Sequence, residues 1–247
     1  MAVGTIKIFS WGFMLALAVL IAIIGIGRCL EREGFKREIA ADLILLCVVG
    51  GVLGGRIAYI ITYEWIDFIR NPLAVLSLHG EGIRGLVWYG SLAGGLLPFV
   101  VYLRRKELSF WAMADIFAPF LALGYAIVRI GCFLNGCCYG AITSSKWGVV
   151  FPAVDGFYRY PTQLYSSALN LVLFAILFWL YPRRRFNGQV FTVYIIGYAL
   201  YRFIVEFFRD SLIMIGVLSL GQVYTLILLL LGIALYYYLQ ARYKKGL

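Results

Sequence analysis

Between Gly124 and Gly140 the chain carries Arg129, Cys132, Asn135, Cys137 and Cys138, spaced by Gly131, Gly136 and Gly140. Arg129 lies in an apolar stretch that begins near Trp111 and has no acidic residue beside it in sequence. A guanidinium in such a segment costs roughly 2.5–3.5 kcal/mol on insertion scales, so it faces a partner, a cavity or an anion. The glycines after it let backbone approach a ligand closely and expose its N–H groups. Arginine plus a glycine-rich turn at membrane depth points to a phosphate site. The competing reading is a structural arginine that reaches the head-group zone or bonds carbonyls.

Tyr198, Arg202, Glu206 and Arg209 make a second group. The first three recur at i, i+4 and i+8 and share one helix face. They form either a self-neutralising packing pair or a second phosphate clamp whose guanidinium Glu206 orients. A third stretch, Trp88 to Gly95, holds Tyr89 and glycines at 90, 94 and 95. The glycines permit close approach of helices or lipid, and Tyr89 is an interfacial anchor or a site group. Arg56 follows Gly54 and Gly55, and the sequence offers Asp115 or Glu206 as its buried partner. Cys132, Cys137 and Cys138 could ligate zinc, form a disulfide or pack as small apolar groups. Zinc usually takes four ligands and no nearby histidine supplies the fourth. An outward-facing location permits a disulfide, and Arg129 alongside could lower a thiol pKa. Packing or a disulfide therefore ranks above a metal, and no metal or other cofactor is expected. Cys29 and Cys47 read as packing residues.

The elements that must position these groups are transmembrane helices. Of the 247 residues, 63% are hydrophobic and 14% charged, where a soluble domain carries about 25% charged. Mean hydropathy is +0.89. The net charge of +10 sits in short tracts between apolar runs, which argues against nucleic acid. Each crossing needs about 20 apolar residues. Seven runs qualify: Ile8–Gly27, Ala41–Tyr63, Leu86–Leu103, Trp111–Gly131, Pro161–Tyr181, Gln189–Phe207 and Ile213–Leu239. The first is too long for the apolar core of a cleavable signal peptide. Basic tracts follow the first, third, fifth and seventh runs (Arg28 to Arg37, Arg104 to Lys106, Arg183 to Arg185, Arg242 to Lys245). They predict an amino terminus outside and a carboxyl terminus in the cytoplasm. Glu64–Gly85, with Trp65, Pro72, His79 and Arg84, reads as a short interfacial piece. The expected fold is an all-α integral membrane protein with seven transmembrane helices, short interfacial segments and one membrane-embedded domain over residues 1–247.

Taken together, these segments resemble the prolipoprotein diacylglyceryl transferase family. The resemblance rests on Leu53 to Tyr59, Tyr89 to Gly95, Gly124 to Gly140, Phe151-Pro152, Tyr160 to Tyr165, Ile196 to Tyr198, Arg202 to Arg209, and Leu218 to Gln222, in that order. It implies a seven-helix enzyme of the bacterial plasma (inner) membrane. Such an enzyme moves diacylglyceryl from phosphatidylglycerol to the lipobox cysteine thiol of a preprolipoprotein and releases glycerol phosphate. Arg129 and Arg202 correspond to the family's central arginines. The implied catalytic set is Arg129, Arg202, Tyr89 and Glu206. Asn135, Gly131, Gly140, Cys132 and Tyr198 are expected to line the substrate site. The chain departs from the family where His-Gly-Gly reads Tyr89-Gly90-Ser91, where Cys132 replaces an asparagine, where Cys137 replaces a glutamate, and where Trp11 replaces a tyrosine. The segment between Phe151-Pro152 and Tyr160-Pro161 is also short. Two other readings use the same residues. One is a relative with the same lipid site but another acceptor; the other is a non-enzymatic lipid or anion transporter.

Overall fold

The computed structural model describes residues 2–3, 6–7, 10–71, 85, 87–210 and 213–246. Pro72, His79 and Arg84 of the expected interfacial piece lie outside them. Eight α-helices are described: α1 (Ser10–Arg32), α2 (Glu38–Tyr63), α3 (Trp65–Arg70), α4 (Trp88–Arg105), α5 (Phe110–Leu134), α6 (Thr162–Leu180), α7 (Gln189–Glu206) and α8 (Leu220–Lys244). Three antiparallel hairpins of two-residue strands complete the regular structure. Among the described residues five helices are long and apolar enough to cross a membrane: α1, α2, α5, α6 with its 3-10 extension, and α8. The remaining long helices, α4 and α7, have 18 residues each. Their length corresponds to about 27 Å, close to the hydrocarbon thickness. Their hydropathy is lowered by Arg104 and Arg105 in α4 and by Arg202 and Glu206 in α7.

Two of the larger boundary shifts from the sequence reading have local reasons. α1 continues past Gly27 to Arg32, where a basic last turn suits the helix C-terminus. Gly34 at φ +80° then turns the chain, and the Phe35 N–H closes on the Leu30 carbonyl at 2.9 Å. The last helix begins at Leu220, not at Ile213. Met214–Ile215 pairs with Leu218–Ser219 around Gly216 at φ +62°. Ser219 and Gln222 then form a capping box that starts α8.

The chain divides into two compact units, Met1–Cys29 with Trp111–Leu247, and Leu30–Phe110. In the second unit α2 and α4 run antiparallel along a glycine seam. A Cβ added at Gly50 or Gly94 would strike the carbonyl of the other, and Gly54 stands in the same relation to Gly90. Small residues four apart on both helices bring the backbones together, as in membrane helix pairs generally. The Tyr102 hydroxyl donates to Asp42 at 2.9 Å across the same pair. Arg56 pairs with Glu64 at 3.0 Å and lies 5.4 Å from the Tyr59 ring centre. Glu64 stands two helical turns further on, a spacing an arginine side chain can reach.

In the first unit Asp115 of α5 is fully buried and caps α7. Its carboxylate accepts from the Gly188 N–H at 2.7 Å and the Phe191 N–H at 2.9 Å, and Arg184 Nε lies at 3.9 Å. A carboxylate at a helix N-terminus satisfies otherwise orphaned donors and matches the helix dipole. The Ser167 hydroxyl of α6 donates to the Ala126 carbonyl of α5 at 2.9 Å.

Candidate active site

The Asp115 cap fixes the depth of both central arginines. Arg129 follows Asp115 by fourteen residues on α5, and Arg202 follows Gly188 by fourteen residues along α7. At 1.5 Å per residue both lie about 20 Å from the common anchor. Tyrosines fill the interval. The Tyr125 ring meets those of Tyr198 and Tyr201 at 6.2 Å each, and Tyr198 meets Tyr201 at 5.2 Å. The Arg129 guanidinium lies 4.6 Å from the Tyr125 ring centre and donates to the Tyr125 hydroxyl one turn back. Arg202 is paired with Glu206. The Glu206 carboxylate also packs against Gly221 in the first turn of α8, where the helix dipole favours a negative charge.

Arg129 and Arg202 are both within electrostatic reach of Tyr198 and of Arg209. Burial first, then the charges of Arg202 and Arg129, push the Arg209 guanidinium below its ordinary pKa. Among the described residues neither Arg129 nor Arg209 has a carboxylate at ion-pair distance. Three guanidiniums thus share one region with one engaged carboxylate, an arrangement suited to an oxyanion.

The loop after α5 brings the cysteines to the same place. The Ala141 N–H donates to the Phe208 carbonyl at 2.9 Å and the Gly140 N–H to the Tyr160 carbonyl at 2.8 Å. Arg159 braces the loop through Asp155 at 2.6 Å and the Gly140 carbonyl at 3.4 Å. Buried Thr162 and Gln163 of α6 donate to the carbonyls of Cys138 and Cys137 at 3.0 and 2.7 Å. Cys132, Cys137 and Cys138 are all free, and their sulfurs lie within 4.8 Å of one another. The Cys132 hydrogen bond, with positive charge from Arg129 and Arg209, lowers the Cys138 thiol to about 5, although burial opposes the shift. Burial and then Cys138 raise the Cys137 thiol.

The expected site residues divide into four groups. Arg129, Arg202, Glu206, Tyr198 and Cys132 belong to the cluster just described. Asn135 is exposed just beyond α5, and its side chain interacts with the Cys137 thiol. Gly131 and Gly140 lie where their neighbours pack closely on them. A Cβ at Gly131 would reach Met14 Cβ at 3.0 Å and Trp11 Cα at 3.1 Å; one at Gly140 would reach Thr162 Cγ2 at 2.7 Å. Tyr89 belongs to the second unit, is 71% exposed and meets Trp88 edge to face. Sequence alone assigns no role to Tyr125 or Gln163, offers Asp115 only as a partner for Arg56, and leaves Arg209 unassigned. Tyr125 had a usable mark, its position four residues before Arg129. Gln163 and Asp115 act through backbone partners distant in sequence, which no local spacing reveals.

Comparison with known proteins supplies the lineage. A model of the family described as prolipoprotein diacylglyceryl transferase matches residues 1–238. A protein of Clostridium perfringens named phosphatidylglycerol–prolipoprotein diacylglyceryl transferase 2 is 36% identical over 236 residues, covering 94% of this chain and 91% of its own. Proteins named phosphatidylglycerol–prolipoprotein diacylglyceryl transferase from Geobacter sulfurreducens and Idiomarina loihiensis are 37% and 38% identical over 92% and 90% of this chain, and over 89% and 83% of theirs. With a match over nearly its whole length, the chain belongs to the prolipoprotein diacylglyceryl transferase family.

Proposed function

We propose that the chain transfers the diacylglyceryl group of phosphatidylglycerol to the lipobox cysteine thiol of a preprolipoprotein, releasing glycerol phosphate. One observation carries the reading: among the described residues Arg129 and Arg209 have no carboxylate partner at ion-pair distance, while both share a region with Arg202. A thiolate attacking the glycerol carbon expels a phosphate monoester, and negative charge grows on the leaving oxygen. Guanidiniums preorganised in a low-dielectric site stabilise that charge. Arg129 holds the phosphate. Arg202, kept in one orientation by Glu206, donates to the leaving oxygen. Tyr198 and Asn135 bound the head-group space and Cys132 forms its floor. Gly131 and Gly140 act by letting α1, the loop and α6 close around it. Tyr89 positions the acceptor thiol at the outer boundary.

The two units act as one membrane-embedded domain with seven crossings, α4 and α7 supplying the two shorter ones. The basic tracts favour an amino terminus outside and a carboxyl terminus in the cytoplasm. The enzyme works in the bacterial plasma membrane, at the outer leaflet. Membership in a family of enzymes sets the transporter reading aside. The testing experiment offers purified protein radiolabelled phosphatidylglycerol with a lipobox peptide and its cysteine-to-serine analogue. Label should pass to the cysteine peptide alone. A folded chain that labels neither peptide removes the reading.

A further inference from the structure

Three thiols meet beside the arginines, and the fold maintains that meeting against a local cost. Cys132 comes from the last turn of α5, and Cys137 and Cys138 from the loop beyond it. Gly136 at φ +70° and Cys138 at φ +64° turn the loop back on the helix. A non-glycine residue in the left-handed region is uncommon. Thr162 and Gln163, both essentially without solvent exposure, hold the two loop carbonyls in that shape. Packing alone gives no account of it, because Cys137 is half-buried and Cys138 exposed. A disulfide would use two sulfurs and leave the third idle.

We propose that Cys132, Cys137 and Cys138 form a three-thiolate site for a thiophilic dication of the zinc type, whose open fourth position takes the acceptor's cysteine sulfur. The second half of this proposal rests on the transferase reading; the metal site does not. Zinc sites that act on substrates keep three protein ligands and one open position, and thiolates select soft and borderline metals. The exposed side of the cluster, at Cys138, leaves that position accessible. Three thiolates outweigh a dication in charge, and Arg129, within electrostatic reach of Cys132 and Cys138, offsets the excess. The acceptor thiol needs such help. Glu206, the carboxylate at the arginines, is committed to Arg202. A thiol that coordinates a metal is deprotonated outright. Its S–H proton leaves to water as the metal–sulfur bond forms. The sulfur electron pair then makes the C–S bond to the glycerol carbon. The C–O bond breaks at the same time, and its electron pair departs on glycerol phosphate. No group changes oxidation state.

The test uses the full chain, purified with reduced thiols, stripped of metal and titrated with Co2+. The expected result is about one Co2+ per chain with thiolate-to-cobalt charge-transfer absorption. Cys132→Ser, Cys137→Ser and Cys138→Ser should each abolish it, and Cys29→Ser and Cys47→Ser should keep it. The unsubstituted chain carries the test even where a variant fails to fold. A lipobox peptide should shift the cobalt spectrum, and its serine analogue should not. A chain that takes up no Co2+ yet transfers diacylglyceryl at full rate after chelation overturns the metal site and leaves the transferase intact. A chain that binds Co2+ through the three cysteines but transfers nothing keeps the metal site and overturns the acceptor role.

Discussion

The two units hold their helices together by different means. In the second, α2 and α4 meet backbone to backbone, with Gly50, Gly54, Gly90 and Gly94 removing the side chains that would separate them. In the first, α5, α6 and α7 meet through side chains, many of them polar. Every buried polar or charged side chain among the described residues, from Asp115 and Gln163 to Asn170 and Thr225, lies in the first unit. Burying such groups is costly unless they are hydrogen-bonded, and a glycine seam avoids that cost altogether. The first unit accepts it and gains a region where charge can be held in place. Polarity inside a membrane protein thus marks the working half, and small residues mark the supporting half.

Substitutions can break this comparison. Arg129→Ala should lower transfer from phosphatidylglycerol to a lipobox peptide by about 10²–10³-fold, the effect of removing one preorganised donor from a developing oxyanion. Its melting temperature in detergent should stay near that of the parent, since Arg129 has no carboxylate partner to strand. Glu206→Gln should cost about 1.5–3 kcal/mol of transition-state stabilisation, the worth of a charged hydrogen bond, seen mainly in kcat. If kcat holds and only stability falls, the Arg202–Glu206 pair is packing alone. Gly54→Leu should do the opposite, costing about 3 kcal/mol of stability by overpacking the seam. The rate per folded molecule should be kept, as measured by activity against melting temperature. Tyr89→Phe should have the smallest effect, no more than about tenfold in kcat/KM, the range of one neutral hydrogen bond. A larger loss would move catalytic chemistry into the supporting unit and undo the division between the two.

The sequence shows the helices and the arginines more readily than it shows their supports. Apolar runs and basic tracts are long-range statistics, so α1, α2, α5, α6 and α8 are legible from hydropathy. The capping box at Ser219 and Gln222 also stands in the sequence, yet the apolar run through Ile213 hides it. The Arg202–Glu206 pair is readable because both ends lie on one helix. Arg56 shows the limit: Glu64, just past the end of its helix, lies within 3.0 Å of it, yet from sequence more distant acids look equally plausible as partners. Gly131 and Gly140 show another, because a glycine beside a site and a glycine between helices have the same letter and only the neighbours differ. The convergence of Cys132, Cys137 and Cys138 needed two positive-φ residues and two donors from α6, none of which a spacing rule contains.

The shared anchor at Asp115 has a further consequence. Because α5 and α7 are pinned at one level, the stretches from Asp115 to Arg129 and from Gly188 to Arg202 work as paired rulers of equal length. Adding one residue to either alone would rotate its arginine by about 100° and raise it by about 1.5 Å. Adding one to both would leave the two in step. Single insertions should therefore abolish transfer, and matched ones should restore part of it.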